Sequence, residues 1–430
     1  MAPRYLFLLV LSCAQLFAQI PTDDPREANK RWFVREQERP DLVVGTFEVV
    51  RFPVPRQAPA LLRHDPKESK RILNPDYWCN RCAREKRIPD RARDSNDRLM
   101  DLDAPQVLGW LQAQQKGRLW TYIEDSQFKL WTDVPGINIK LEPSRFMKEE
   151  LAELGDIFPE VTEKTVQIDD HKRAHLVLLR MRRLMRDMCW MVGKDPAGVQ
   201  RAHPELGPYL GMNGKQEVYV FDRGMVYDNF AGRFIGRTAP GGQCWHLFKS
   251  RAMVALIDAA NHGDSRLTNA VHHRVAHNLL DAYRMYSFKL PAWFQMGLAA
   301  FIERREEPAW NCFCYSEGTV PKLLYESKWM PKVKRLLSAG EVQPFVAIAP
   351  VQEYGDLKPE YHMISWSWFC YMLRMGPEKL PLFIEALKSK TEDETLHQAQ
   401  VRALKTAYGV NMLEFDEGWR AWVKALYPDV

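Results

Sequence analysis

Between Thr268 and Ala282 the apolar residues return every three or four positions, at Val271, Val275, Leu279 and Ala282. That spacing predicts an amphipathic helix. A second helix is predicted from Pro291, whose fixed φ suits a first helical turn. It carries Trp293, Phe294, Leu298 and Phe301 inward. Upstream the period changes. Leu119–Ile123 and Phe128–Thr132 read as a hairpin, and Glu217–Phe221, Cys244–Phe248 and Met253–Ile257 as further strands. Leu42–Val54 is also rich in strand formers, with Val43, Phe47 and Val49 on one face. Helices are predicted over Pro105–Gln115, Phe146–Ile157 and His171–Val192. Beyond Glu303 the chain reads as helical, at Tyr361–Arg374, Glu378–Ser389, Thr391–Tyr408 and Met412–Leu426. The expected fold class is α+β: a small mixed sheet feeds the 268–282 helix, and an all-helical C-terminal lobe follows.

Candidate chemistry centres on that helix. His273 and His277 stand four residues apart, so one helical turn stacks them on a common face. Two imidazoles so placed can grip one metal ion. Taken alone, such a pair is more often structural. A second pattern is Trp78-Cys79-Asn80-Arg81-Cys82. This C-x-x-C reads as half of a zinc knuckle, a redox pair or a plain disulfide; Ala83 follows it, so it lacks the His of a haem-attachment motif.

The sequence His273-Arg274-Val275-Ala276-His277, followed by Leu290-Pro291-Ala292-Trp293-Phe294-Gln295-Met296-Gly297-Leu298-Ala299, resembles the bacterial peptidase MA-like branch of the gluzincin metallopeptidases. The family pattern is H-E-x-x-H, then L-P-x-W-x-x-E-G-L-A. The resemblance implies a zincin-like fold over about residues 125–427, with Phe128–Thr132 as its opening strand. Two chemical positions depart from the pattern. Arg274 stands where the general base Glu is expected, and Met296 where the third zinc ligand is expected. An arginine accepts no proton at any workable pH, and a thioether is a poor zinc ligand. A third departure is His362, at a position where the family often has Tyr facing the cleft. The resemblance therefore implies a peptidase fold without peptidase chemistry: catalytic positions degraded at Arg274 and His362, and zinc at His273 and His277 possible but not assured. Ala407-Tyr408-Gly409 with Trp419–Val423 also resembles the family's closing pattern.

The N-terminus changes the setting. Arg4 precedes a short apolar run, Tyr5–Leu11, and Ala18 offers a cleavage point, so residues 1–18 are expected to be a signal peptide and the protein exported, periplasmic or extracellular. A lipid anchor at Cys13 is the minor alternative. No later stretch is apolar and long enough to span a membrane. The remaining divisions are a CxxC-bearing region (19–120), a mixed α/β sub-domain (121–262) and the helical peptidase-like lobe (263–430). Cleavage removes Cys13 of the eight cysteines and leaves an odd number. Cys79 and Cys82 with Cys312 and Cys314 are the candidate thiol cluster. In an exported chain disulfides are the expected state there, and a four-thiolate zinc site the alternative.

Composition excludes little. With 430 residues, 46% hydrophobic and 27% charged, the chain is an ordinary globular protein, and a net charge of +5 does not point to nucleic acid. Lys172, Arg180, Arg182, Arg183 and Arg186 give the 171–192 helix a basic face. That face is expected to be solvated, or less commonly to dock an anionic polymer. Three functions compete. The first is a pseudo-peptidase that binds a peptide, protein or glycan, with Arg274 pairing an acidic ligand group. The second is an active metal-dependent hydrolase using altered donors among His272, His273, His277, Asp281 and His362. The third is a structural subunit of a cell-envelope complex. Oligomeric state is not legible.

Overall fold

The structure, a computed structural model, describes residues 77–85, 98–114, 119–142, 144, 146–284, 286, 290–313 and 323–429. The expected signal peptide, Cys13, the 42–54 strand and Cys314 lie outside the described residues.

The chain builds a six-stranded sheet and a set of helices. The strands are β1 (Trp78–Cys79), β2 (Thr121–Glu124), β3 (Phe128–Thr132), β4 (Gln216–Phe221), β5 (Gly242–Leu247) and β6 (Ala252–Asp258). Helices of the N-terminal half include α1 (Asn80–Arg84), α2 (Ala104–Ala113), α3 (Met147–Ile157), α4 (Asp170–Met191) and α5 (Gly224–Phe234). Those of the C-terminal half are α6 (Asp264–Ala282), α7 (Ala292–Glu306), α8 (Trp329–Ser338), α9 (Tyr361–Met375), α10 (Leu380–Lys388), α11 (Leu396–Tyr408) and α12 (Met412–Leu426). The α+β expectation, a small mixed sheet with a helical C-terminal region, is what the fold shows.

Strand order is β1-β2-β3-β4-β6-β5. The β1–β2, β2–β3 and β5–β6 pairs are antiparallel, whereas β3–β4 and β4–β6 are parallel. Leu130 sits opposite Val218, and Tyr219 opposite Leu256. The parallel centre is buried along its whole length, as expected of strands covered on both faces. One face packs under α2 and α5 through Val107, Leu111, Tyr227 and Phe230. Helices α4 and α6 pack together, and both touch the sheet.

Helix α6 begins after Gly263, whose φ of 69° suits the turn that starts it. Its apolar positions Val271, Val275, Leu279 and Ala282 are all buried. Pro291 is the residue preceding α7, one position earlier than expected, and every residue of α7 is buried. Gly297 of α7 lies so close to α9 that an added Cβ would be 2.5 Å from the Ser365 carbonyl oxygen.

The basic face of α4 departs from expectation. Arg173 and Arg180 are about 1% exposed and form ion pairs with the equally buried Glu142. Arg180 and Arg183 both reach Glu150 on α3, and Arg183 also pairs with Glu306 of α7 at 2.9 Å. Arg182 pairs with the buried Asp125. Arg180, Arg182 and Arg183, expected to face solvent or an anionic polymer, instead tie α4 to its neighbours, as Arg173 does, because carboxylates from distant segments meet them inside the molecule. No helix among the described residues is long and apolar enough to cross a membrane.

Candidate metal centre

Two short local structures supply four donors. Cys79 ends β1 and caps α1, and its Sγ accepts the Cys82 N–H at 3.5 Å. That one-turn geometry puts both sulfurs on the same side. Helix α4 is started by Asp169, whose carboxylate accepts the Lys172 N–H at 2.8 Å. His171 and His175 then fall one turn apart on the face turned toward the cysteines.

The four side chains converge. Nε2 of His171 is 3.3 Å from Cys79 Sγ and 3.1 Å from Cys82 Sγ. Nε2 of His175 is 3.4 Å from Cys82 Sγ and 3.2 Å from Nε2 of His171. All four donor atoms lie within 4.8 Å of one another, and all four residues are buried. This cluster can hold a metal ion.

The donor set passes a geometric test. In a tetrahedral site with metal–sulfur bonds of about 2.3 Å and metal–nitrogen bonds of about 2.0 Å, nitrogen–nitrogen edges are about 3.3 Å and sulfur–nitrogen edges about 3.5 Å. The measured edges are close to these. Cys₂His₂ is moreover a closed set, with all four tetrahedral positions taken by protein.

The surroundings favour this use of the imidazoles. Tyr77 places its hydroxyl against Nδ1 of His175, and a Glu85 carboxylate oxygen stands 3.7 Å from Nδ1 of His171. Outer partners on Nδ1 leave Nε2 as the ligand atom. Burial pushes His175 below its ordinary range and so keeps it neutral, as a ligand must be. Burial opposes a thiolate at Cys79, but hydrogen bonds from Cys82, His171 and His175 overrule it and hold the thiol far below its usual range. Phe158 sets its ring edge-on to both imidazoles, at 5.2 and 5.0 Å, and closes the site.

The cysteines expected to cluster are divided. Cys79 and Cys82 meet His171 and His175, whereas Cys312 donates its backbone N–H to Glu303 at 2.9 Å. None of the described cysteines is in a disulfide. His171 and His175 are absent from the expected ligands, although the sequence marks them by the same four-residue spacing that marks His273 and His277.

The His273–His277 pair has a different environment. The two rings do stack on one face of α6, with centroids 4.9 Å apart. Nδ1 of His273 lies 3.2 Å from Glu303, and Nδ1 of His272 lies 3.3 Å from Glu306. Asp281 accepts from Gln295 at 3.4 Å, and its carboxyl is raised by burial. His362 packs its ring on Phe313 at 4.5 Å, and Met296 is buried. Among the described residues, the converging donor group is the Cys79 cluster; Asp281, Glu303 and His362 do not complete one around His273 and His277.

Arg274 is 0% exposed. Its guanidinium donates to the carbonyls of Ala270 (3.1 Å) and Phe313 (3.4 Å) and lies against the Gly241–Gly242 backbone. Among the described residues, the charge is met by main-chain oxygens inside the protein.

No known protein-family pattern matches this chain, and no curated protein is found to be similar to it.

Proposed function

We propose that the chain is an exported, gluzincin-like protein without peptidase activity, stabilised by one structural zinc and acting through binding of a peptide, protein or glycan. The observation that carries this reading is the position of the converging donor set. Among the described residues it lies at Cys79, Cys82, His171 and His175, and not at the His273–His277 pair where a peptidase would need it. Soft thiolates with imidazoles in a tetrahedral arrangement favour zinc among the common divalent ions. A zinc ion there would neutralise two thiolates and cross-link β1 to α4. With four protein ligands it would leave no position for the water that a hydrolase must activate.

The chain's own residues support the absence of hydrolysis. The base position holds a guanidinium that accepts no proton. The third-ligand position holds Met296, and the imidazole of His273 is engaged by Glu303. Each of these would have to change before water could be activated over α6.

Metal content of the purified chain tests the proposal. One zinc per chain is expected in the parent protein and in a His273→Ala/His277→Ala variant, but none in Cys82→Ser/His175→Ala. No cleavage of casein or of a mixed peptide library is expected from any of them. Zinc lost on substitution of His273 and His277, together with loss of a measured hydrolysis, would replace the proposal with an active enzyme of altered ligands. Stable co-purification with an envelope partner, indifferent to changes near His273, would favour a structural subunit.

A further inference from the structure

The outer edge of the sheet is dressed by an unusually short piece of chain. Strand β2 has β3 on one side; on the other it has β1, whose two residues pair Trp78 with Glu124 and Cys79 with Ile123. The next residue continues the cover with its side chain. Asn80 donates from Nδ2 to the Trp120 carbonyl at 3.1 Å and accepts the Tyr122 N–H on Oδ1, also at 3.1 Å. Its carboxamide thus stands in for one more residue of strand. Arg81 then donates to the Thr121 hydroxyl at 3.4 Å. Residues 78–81 therefore satisfy the free edge of a strand whose four residues are all buried.

The segment's own secondary structure does not hold it in place, although buried Tyr77 stacks on His175 and lies under Arg182. A two-residue strand and a five-residue helix are each too short to be stable alone. The Arg81–Asp170 ion pair is partly exposed, a class that contributes little. Trp78 does pack on Tyr122, with ring centroids 5.5 Å apart. What distinguishes the segment is that Cys79 and Cys82 enclose Asn80 and Arg81, and both sulfurs converge on α4. The points of attachment to the helix bracket the residues that cover the strand.

We propose that the metal centre is a latch for the sheet edge: with metal bound, residues 77–85 are fixed over β2, and with metal removed they leave and uncover its backbone while the rest of the sheet stays folded. The inference rests on the metal reading given above. Its physical purpose follows from what an uncovered edge does, since unpaired backbone groups along an exposed strand edge template pairing with other chains.

Hydrogen exchange read by mass spectrometry, on the full chain as purified and after zinc chelation, tests this, with zinc measured in the same samples. On chelation, exchange in peptides spanning 119–126 is expected to rise by about tenfold or more, while β4 (216–221) keeps its protection. An Asn80→Ala variant, which leaves all four donors in place, is expected to retain zinc and to lose protection at the Tyr122 amide. Zinc released with no change over 119–126 would overturn the latch alone. Loss of protection throughout the sheet would overturn it too, by making the metal a global staple. A purified chain without any metal would overturn the zinc reading and the latch with it.

Discussion

The carboxylate of Glu303 lies 3.2 Å from Nδ1 of His273 and accepts the backbone N–H of Cys312 at 2.9 Å. Both side chains are fully enclosed between α6 and α7. The helical offset from Met296 suggests that Glu303 is too far along α7 to matter to His273, yet the antiparallel approach of the helices brings it there. Removing the carboxylate would take a buried acceptor away from the Cys312 N–H and the His273 ring, and such a loss costs about 1–3 kcal/mol. Glu303→Ala is expected to lower unfolding stability by about 2 kcal/mol in urea titration. A change of a few tenths would show that the pair is dispensable.

Arg274 gives a second prediction, because its position is where the family resemblance places a catalytic glutamate. Arg274→Glu would put a carboxylate against the carbonyl oxygens of Ala270 and Phe313, which now accept hydrogen bonds from the guanidinium. An acceptor facing acceptors in a buried site costs about 2–3 kcal/mol. The substitution is therefore expected to destabilise the fold and to produce no hydrolysis. Chemical denaturation and a casein assay read the two results; a stable variant that cleaves casein would overturn the reading of α6. Gly242→Ala should be worse, since its Cβ would lie 2.3 Å from the Leu256 carbonyl and 2.5 Å from Arg274 Nε, at a φ of 133°.

How far these features could be read from the chain depends on how local their causes are. β3 and α12 lie at the expected residues, and α9 ends within one, because period and flanking residues define each element without help from distant segments. The stacking of His273 on His277 is equally local. The metal cluster is not. It joins a four-residue and a five-residue pattern, with 89 positions between Cys82 and His171, and neither pattern states which partner it meets. The α4 arginines fail in the same way. Their charge suggests solvent, but Glu142, Glu150 and Glu306 arrive from other elements and make burial tolerable.

Tyr77 offers a test of how the cluster is tuned. With a metal on Nε2 of His175, Nδ1 carries the proton and donates it to the Tyr77 hydroxyl oxygen. Burial raises Tyr77 well above its ordinary range, so the hydroxyl stays neutral and able to accept. Tyr77→Phe keeps the ring stacked on His175, now 5.6 Å between centroids, and deletes only the oxygen. Loss of such an outer partner weakens metal affinity by about 10–100-fold. Competition against a chromogenic zinc chelator should show that weakening with circular dichroism unchanged. Equal affinity would mean that the hydroxyl does not position the ligand.

Glu217 gives the molecule a pH dependence of its own. The side chain is fully buried in β4, where its carboxylate accepts the Met100 N–H at 3.0 Å and the Tyr219 hydroxyl at 2.9 Å. Burial pushes the carboxyl up to about 7 from an ordinary 4.5, against the opposing hydrogen bond from Met100 and the nearby charge of Lys129. A folded value above the unfolded one means that the native state holds the extra proton between those two pH values. Stability contributed by this group is therefore complete below about pH 4.5, falls as pH rises toward 7, and is flat above it. The fall amounts to about 3 kcal/mol. Glu217→Gln keeps an oxygen that can accept both hydrogen bonds and removes the ionisation. Urea titrations at intervals from pH 4.5 to 8 should find the parent protein losing stability over that range relative to the variant, and the variant more stable at pH 8. Parallel profiles would show that Glu217 titrates near the ordinary carboxylate value despite its burial. Glu217 also anchors Met100, which with its neighbour Asp101 has a left-handed φ (53° and 58°), and Asp101 caps the β5–β6 turn through the Lys249 and Ser250 amides. If the carboxamide of the Glu217→Gln variant preserves both hydrogen bonds, exchange protection at Ser250 should be unchanged, which separates the loss of charge from any loss of the turn.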